Sequence, residues 1–325
     1  MKCLLIQPIH PSGIALLEGA NVEVVQASAA DMVTVAREIA DADAAITRNA
    51  GLDRTAMEAA TKLQVLGNHG IGVDPVDVDF ACEIGLPIAF TPYANVQSVA
   101  ELVIAHMLAI AKRVREADAA VREDRFDYRY TRDFRELSGK TLLICGFGRI
   151  GRRTADIAHA AFDMRVLVHS PSIASEDIEA AGFVPARNLD AALGSADYVS
   201  LHQTLTPRTR GLFDRDRLFA MKKGAALINT ARGALVDRDA LVEAVEGGHL
   251  RGAAFDVFEA EPPPADHPYL QSEGVLLSPH IGGSSEEAAE RTAVQVAEAV
   301  LAVLAGRRPE HLINPDVWDR RRQCA

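Results

Sequence analysis

Aromatic side chains are scarce here: 1 Trp, 5 Tyr and 11 Phe in 325 residues. Any local crowding of them therefore stands out. Positive charge is short as well. Lys and Arg number 34 against 45 Asp and Glu, a formal net charge of -11. That balance disfavours general nucleic-acid or anionic-membrane binding, while leaving room for a local cationic pocket that takes a small anion. The four cysteines, Cys3, Cys82, Cys145 and Cys324, show no C-x-x-C spacing. Cys3 and Cys145 sit in apolar strand-like runs, so buried thiols in a reducing cytoplasm are expected. Long apolar runs are missing too. Met1–Pro8 is too short in its apolar part for a signal peptide, and the most apolar helical stretch, Leu102–Ala111, carries His106 and is too short to span a bilayer. No short-period repeat, low-complexity tract or metal-ligand spacing is visible, and no metal is expected.

What is present is an ordinary globular balance, 48% hydrophobic and 24% charged, with length for about two domains. Short apolar runs alternate with helical segments. Cys3–Gln7, Val22–Val25, Ala44–Thr47, Val65–Gly67 and Ile88–Phe90 read as strands, with Met32–Ala40 and Arg54–Ala60 helical between them. A second series runs through Leu142, Val166–Val168, Tyr198–Leu201, Ala225–Ile228, Ala253–Phe255 and Val275–Leu277. This βα alternation predicts parallel α/β sheets. Two long helices bracket the second series. One is expected from about Val96 to Arg122. The other is expected from about Ser285 to Ala305, with Ser284 and Glu287 at capping-box spacing and Gly306 as the stop. The first domain is therefore predicted to be discontinuous, 1–95 with 284–325, around a dinucleotide domain at 96–283, with the two helices as a hinge beside a cleft.

Gly146-Phe147-Gly148-Arg149-Ile150-Gly151 follows an apolar strand, Thr141–Cys145, and precedes a helix over Arg152–Phe162. In that setting G-x-G-x-x-G carries a mechanism. The first Gly allows the tight turn, the second lets backbone approach a pyrophosphate, and the third lets helix pack on strand. The helix N-terminus then offers N–H groups and partial positive charge to the phosphates.

Three polar stretches follow, each just past the carboxyl end of a predicted strand: Asn229-Thr230-Ala231-Arg232-Gly233, Asp256-Val257-Phe258-Glu259-Ala260-Glu261-Pro262 and Ser278-Pro279-His280-Ile281-Gly282-Gly283. In open α/β sheets that edge is where ligands bind. Taken singly, Arg232 reads equally as a surface ion pair, while Glu261 reads more readily as a solvated loop acid and His280 more readily as a satisfied buried histidine. Their joint placement favours chemistry on a 2-keto or 2-hydroxy acid. Arg holds a carboxylate bidentately. His exchanges a proton with the carbonyl oxygen as hydride arrives. A carboxylate orients that His.

At these residues the chain resembles the D-isomer-specific 2-hydroxyacid dehydrogenases, the family of phosphoglycerate dehydrogenase, glyoxylate/hydroxypyruvate reductase and D-lactate dehydrogenase. The resemblance covers nearly the whole chain, including Gly70–Asp74, Ser98–Leu102 and the stretches quoted above. It implies a Rossmann-type doubly wound domain plus a smaller flavodoxin-like substrate domain. It also implies an NAD- or NADP-dependent enzyme with Arg232, Glu261 and His280 as its catalytic trio. The substrate carboxylate would meet His69, Gly70, Ile71 and Gly72, whose backbone N–H groups can bind an anion, together with Arg232. Asp256 resembles the carboxamide-binding aspartate, Gly282 and Gly283 would lie beside the nicotinamide, and Thr230 and Ala231 would line the cofactor. Four aromatics, Phe126, Tyr128, Tyr130 and Phe134, crowd the charged segment Arg122–Arg135. That arm resembles the family's dimerisation arm, which implies a homodimer; capping of its own domain is the alternative.

The departures bear on cofactor and substrate. After Arg165–His169, Ser170 takes the place of the acid that grips the ribose hydroxyls of NAD, and no acid stands from Met164 to Ala174. Repulsion of a 2′-phosphate is therefore absent and NADP is permitted. His202-Gln203-Thr204 replaces the family's His-x-Pro. Arg48, beside Thr47 and Asn49, is thin support for a phosphorylated substrate, and the chain ends soon after the second long helix, so no serine-sensing domain is expected. Asp266-His267-Pro268 resembles formate dehydrogenases, but Glu261 stands where they place Gln. The expected partner is a small 2-keto or 2-hydroxy acid, not nucleic acid or membrane. The alternatives are a phosphoglycerate dehydrogenase-like enzyme and a nicotinamide-sensing corepressor-like binding protein.

Overall fold

The computed structural model describes residues 1–322; Cys324 lies outside the described residues. The chain divides into two compact units, one formed by Met1–Asn95 with the segment from Gly283, the other by Val96–Gly282.

The first unit carries β1 (Lys2–Leu5), β2 (Glu23–Gln26), β3 (Ala44–Thr47), β4 (Val65–Asn68) and β5 (Ile88–Phe90). They form one parallel sheet in the order β2-β1-β3-β4-β5. The residues of β3 and β4 are all buried. This is why they read as unbroken apolar runs and not as alternating ones. One packed cluster holds Leu4, Ile39, Met57 and Leu66; another holds Leu5, Ile46, Val296 and Val300, the last two from the helix Glu286–Leu304. Asp31, Asp53 and Asp77 each open a helix by accepting from the backbone N–H three residues on, at 3.0, 2.8 and 2.9 Å.

The helix Glu286–Leu304 is capped by Ser285, whose side chain accepts from Ala288 N at 3.3 Å. The expected Ser284–Glu287 box is thus displaced by one residue. Gly306 does stop the helix, at φ 73.

The second unit carries β6 (Thr141–Cys145), β7 (Arg165–His169), β8 (Val184–Pro185), β9 (Tyr198–Leu201), β10 (Ala226–Asn229), β11 (Gly252–Phe255) and β12 (Val275–Leu277). They form a parallel sheet in the order β12-β11-β10-β9-β6-β7-β8. The order reverses between β6 and β9, a topological switch point. One cluster, with Leu143, Val199, Leu227 and Phe255, covers one face. Another, with Ile144, Ile228, Ala254 and Val103, covers the other.

The single helix expected over 96–122 is two, Val96–Lys112 and Val114–Arg122, broken at Arg113. Arg113 takes φ 51, and its guanidinium bonds Asp133, with Nε 3.0 Å from Oδ2. The aromatic arm carries a short 3-10 turn, Phe126–Tyr130, none of it buried. Tyr128 and Phe134 meet edge to face with centroids 5.7 Å apart.

Candidate active site

The glycine loop after β6 shows what each glycine is for. A Cβ on Gly146, at φ 100, would lie 2.8 Å from the backbone of His202, so the turn after β6 packs directly on the turn after β9. A Cβ on Gly151 would lie 2.1 Å from Gly146 O, so the helix closes on the strand only without a side chain there. A Cβ on Gly148 would meet nothing within 4 Å. That position is open, so backbone there can be approached closely.

The helix Arg149–Phe162 starts three residues before the sequence expectation, because Arg149, Ile150 and Gly151 already belong to it. Unlike helices in this fold opened by Asp or Asn, its N-cap Gly148 supplies no side-chain bond. A helix N-terminus of this kind can bind an anion through its backbone N–H groups.

Two further observations fit a dinucleotide. Thr230 Oγ1, after β10, and Gln203 Oε1, after β9, are buried without a hydrogen-bond partner among the described residues. Buried polar atoms rarely stay unpaired. His202 is held by Ser200 Oγ, 2.9 Å from its Nε2, and burial pushes the imidazole down to about 3, so the ring is neutral. Ser170 follows β7, and its carbonyl accepts from Ile173 N at 3.1 Å.

Arg232 is set by Asn229 at the end of β10. Asn229 Oδ1 accepts from Ala231 N at 3.0 Å and its Nδ2 donates to Arg232 O at 2.8 Å. The next residue, Gly233, touches the following loop: a Cβ there would lie 2.3 Å from the carbonyl carbon of Phe258. This contact packs the Arg232 loop on the loop that carries Glu261. Glu261 Oε1 accepts from Phe258 N at 3.1 Å, and Oε2 lies 2.6 Å from His280 Nδ1. The Arg232 guanidinium Nη1 donates to Ala231 O at 2.7 Å. Burial works against the Glu261 carboxylate. The hydrogen bonds and charge of His280, the Phe258 N–H and the charge of Arg232 outweigh it and hold the group below the usual carboxylate range.

Nδ1 of His280 is thus bonded to Glu261, which fixes the orientation of the imidazole ring. His280 sits at φ 55, a left-handed conformation uncommon for a residue with a Cβ. The structure brings all three polar stretches to one edge of one sheet.

Asp256 does more than its sequence position suggests. It is 1% exposed, and both oxygens are engaged within the fold. Oδ1 accepts from Ser278 Oγ at 2.6 Å and Ile281 N at 2.8 Å, and Oδ2 accepts from Gly282 N at 2.8 Å. It is the anchor of the His280 loop. No motif announces that role, because it joins residues 22 to 26 apart. Gly283 falls in the first unit, where a Cβ would lie 3.0 Å from Asn95 Nδ2.

The loop His69–Gly72 follows β4 in the first unit. Not all of its N–H groups are open to an anion. His69 N donates to Thr47 O at 2.8 Å and Gly70 N to Asn68 O at 2.9 Å. Among the described residues no backbone acceptor takes the N–H of Ile71 or Gly72. Asn68 Nδ2 fastens the turn at Gly70 O and Gly72 O, 3.1 and 3.0 Å away. Burial, helped by the charge of Arg48, pushes the His69 imidazole down to about 4.

Comparison with known proteins agrees with this geometry. Residues 104–282 match the model of the D-isomer specific 2-hydroxyacid dehydrogenase NAD binding domain. A D-3-phosphoglycerate dehydrogenase from Methanocaldococcus jannaschii is 38% identical over 315 residues, covering 97% of this chain and 59% of that protein. A glyoxylate reductase from Thermofilum pendens is 38% identical over 269 residues, covering 82% of this chain and 79% of that protein. Among solved structures, the TT0316 protein from Thermus thermophilus superposes with a TM-score of 0.89 at 36% identity, covering 96% of this chain and 100% of that one. The chain belongs to the D-isomer-specific 2-hydroxyacid dehydrogenase family. It spans about three-fifths of the length of the Methanocaldococcus phosphoglycerate dehydrogenase.

Proposed function

We propose that the protein transfers hydride between a nicotinamide cofactor and a small 2-keto or 2-hydroxy acid, and that NAD and NADP both serve. The observation that carries this reading is the Glu261–His280 pair, 2.6 Å apart, which joins the loops after β11 and β12. Reduced nicotinamide, when bound, supplies the hydride. The residues of this chain do the rest.

Arg232 takes the substrate carboxylate and polarises the adjacent carbonyl. His280 gives the Nε2 proton to the carbonyl oxygen, and in the oxidative direction Nε2 removes it. Glu261 holds the imidazole by Nδ1, fixing the ring and its orientation for the transfer. Gly148, with Arg149, Ile150 and the first turn of their helix, would cradle the pyrophosphate. Ser170 would meet the adenosine ribose. His202, Gln203, Thr230 and Ala231 would line the cofactor, with Asp256 and Gly282 toward the carboxamide and Gly283 nearby. Ile71 and Gly72, with His69 and Gly70 shaping the turn, are proposed as further carboxylate contacts.

A homodimer formed through the arm is part of this proposal. Exposed Phe126 and Tyr130 support it, at 62% and 67% of their free surface. So is a reducing cytoplasm, supported by Cys3 and Cys145, whose burial pushes both thiols up and leaves them unreactive.

The test is oxidation of NADH and NADPH with glyoxylate, hydroxypyruvate, pyruvate, phosphohydroxypyruvate and bulkier keto acids. Turnover with at least one small keto acid is expected. Tight cofactor binding without turnover of any would overturn the reading in favour of a nicotinamide-sensing binding protein. Turnover confined to phosphohydroxypyruvate would move the assignment to phosphoglycerate dehydrogenase.

A further inference from the structure

Behind the His280 loop lies a chain of buried polar groups that the chemistry above does not use. His106 stands on the helix Val96–Lys112 and is 5% exposed. Its Nε2 is 3.3 Å from Ser278 Oγ, which is 2.6 Å from Asp256 Oδ1. The direction of the chain follows from the donors available. A carboxylate has no proton to give, so the Ser278 hydroxyl donates to Asp256. The serine oxygen then has only lone pairs for His106, so Nε2 must carry the imidazole proton. Nδ1 is left as an acceptor, and it is buried with no partner among the described residues.

Such an orphaned atom is destabilising, because the hydration it loses on burial is not replaced. A leucine would fill the same place on this apolar helix without that cost. Burial also pulls the His106 pKa down, against the opposing charge of Asp256, so the ring is neutral and the directed chain persists.

We infer that His106 is a positioning residue for the His280 loop. By donating to Ser278 it aims the serine hydroxyl at Asp256, and Asp256 pins the N–H groups of Ile281 and Gly282. His280 lies between these fastened points, which hold it at φ 55 with its ring on Glu261. The same helix adds another fastening, Ser98 Oγ donating to Gly282 O at 2.6 Å. The inference rests on the reading that His280 moves the proton.

Two variants separate positioning from packing. His106→Leu keeps the volume, removes the donor and removes the orphaned nitrogen. His106→Gln offers an amide Nε2–H from nearly the same place. The Leu variant should melt at or above the wild-type temperature, yet lose about tenfold in kcat with KM for the keto acid nearly unchanged, because a misplaced acid slows the step without weakening binding. The Gln variant should recover kcat to within about threefold of wild type. Full kcat in the Leu variant, or a Gln variant worse than Leu, would overturn the inference.

Nitrogen NMR of the wild-type protein without added cofactor should show His106 as the Nε2–H tautomer; the Nδ1–H tautomer would overturn it, whether or not the Leu variant folds. If the wild type turns over no keto acid, the functional reading fails separately. The His106 tautomer, and loss of the downfield His280 Nδ1–H resonance in the Leu variant, still decide this inference.

Discussion

The carbonyl oxygen of Gly146 lies 2.1 Å from where a Cβ on Gly151 would sit, whereas a Cβ on Gly148 would touch nothing within 4 Å. The two glycines answer different demands, one from the fold and one from the ligand, and alanine should tell them apart. Gly148 sits at φ -74 and ψ -166, which alanine adopts without strain. Gly148→Ala should therefore fold with a near-wild-type Tm and lose cofactor affinity. Gly151→Ala must displace backbone, so its Tm should fall by several degrees along with cofactor binding. Thermal melts and fluorescence titration with NADH check both. Equal effects of the two substitutions on Tm would contradict this division.

Arg232 and His280 are assigned to transition-state work. Arg232→Ala and His280→Ala should each lose roughly a hundred- to ten-thousand-fold in kcat/KM, the range that positioned acids and oxyanion partners supply. Neither change opens a core cavity, so Tm should move little. Steady-state kinetics at saturating cofactor is the measurement, and near-wild-type turnover in either variant would refute the assignment.

Much of this arrangement is legible in the sequence where the signal is local. The strands Ala44–Thr47, Ile88–Phe90 and Val275–Leu277 stand where their apolar runs place them. The glycine fingerprint and the three strand-end stretches name the residues that converge. What escapes is set by distant partners. The break at Arg113 is invisible because the helical pattern continues across it, while the left-handed turn coincides with an ion pair to Asp133, 20 residues away. β8, two residues long with Pro185 in it, is too short to leave a period. The Gly233–Phe258 contact and the His106–Ser278–Asp256 chain join residues far apart in sequence, and no periodicity encodes them.

The carboxylate of Glu261 is held below its ordinary value of 4.5 in the folded protein. A depressed carboxyl pKa means the unfolded chain takes up the proton first as pH falls. The stability that the carboxylate contributes is then complete above about 4.5 and is lost as pH drops through the folded value. Glu261→Gln removes the titration but keeps an acceptor for His280. Whatever the stability difference between wild type and Glu261→Gln at neutral pH, it should shift against the wild type as pH falls from neutral to below about 4.5. Urea unfolding of both proteins across that range measures it. A difference independent of pH would show that the charge is not coupled to folding.

Ser170 carries the last prediction, on cofactor choice. It follows β7 at the position where the family resemblance places an acid that binds the ribose hydroxyls, and no acid stands from Met164 to Ala174. The 2′-phosphate of NADP would bring about two negative charges beside a hydroxyl that cannot repel them, so wild type should favour NADH over NADPH by no more than about tenfold in kcat/KM, or ~1.4 kcal/mol. Ser170→Asp supplies both repulsion of the phosphate and an acceptor for the ribose hydroxyls of NAD. The NADPH/NADH ratio of kcat/KM should then fall by at least about tenfold, mostly through KM for NADPH, with kcat for NADH preserved because Ser170 stands away from the reacting atoms. The contrast should weaken as salt is added, since like-charge repulsion at a partly exposed strand end is screened. An unchanged ratio would mean that the adenosine ribose does not lie against Ser170, and that cofactor choice is made elsewhere on the sheet edge.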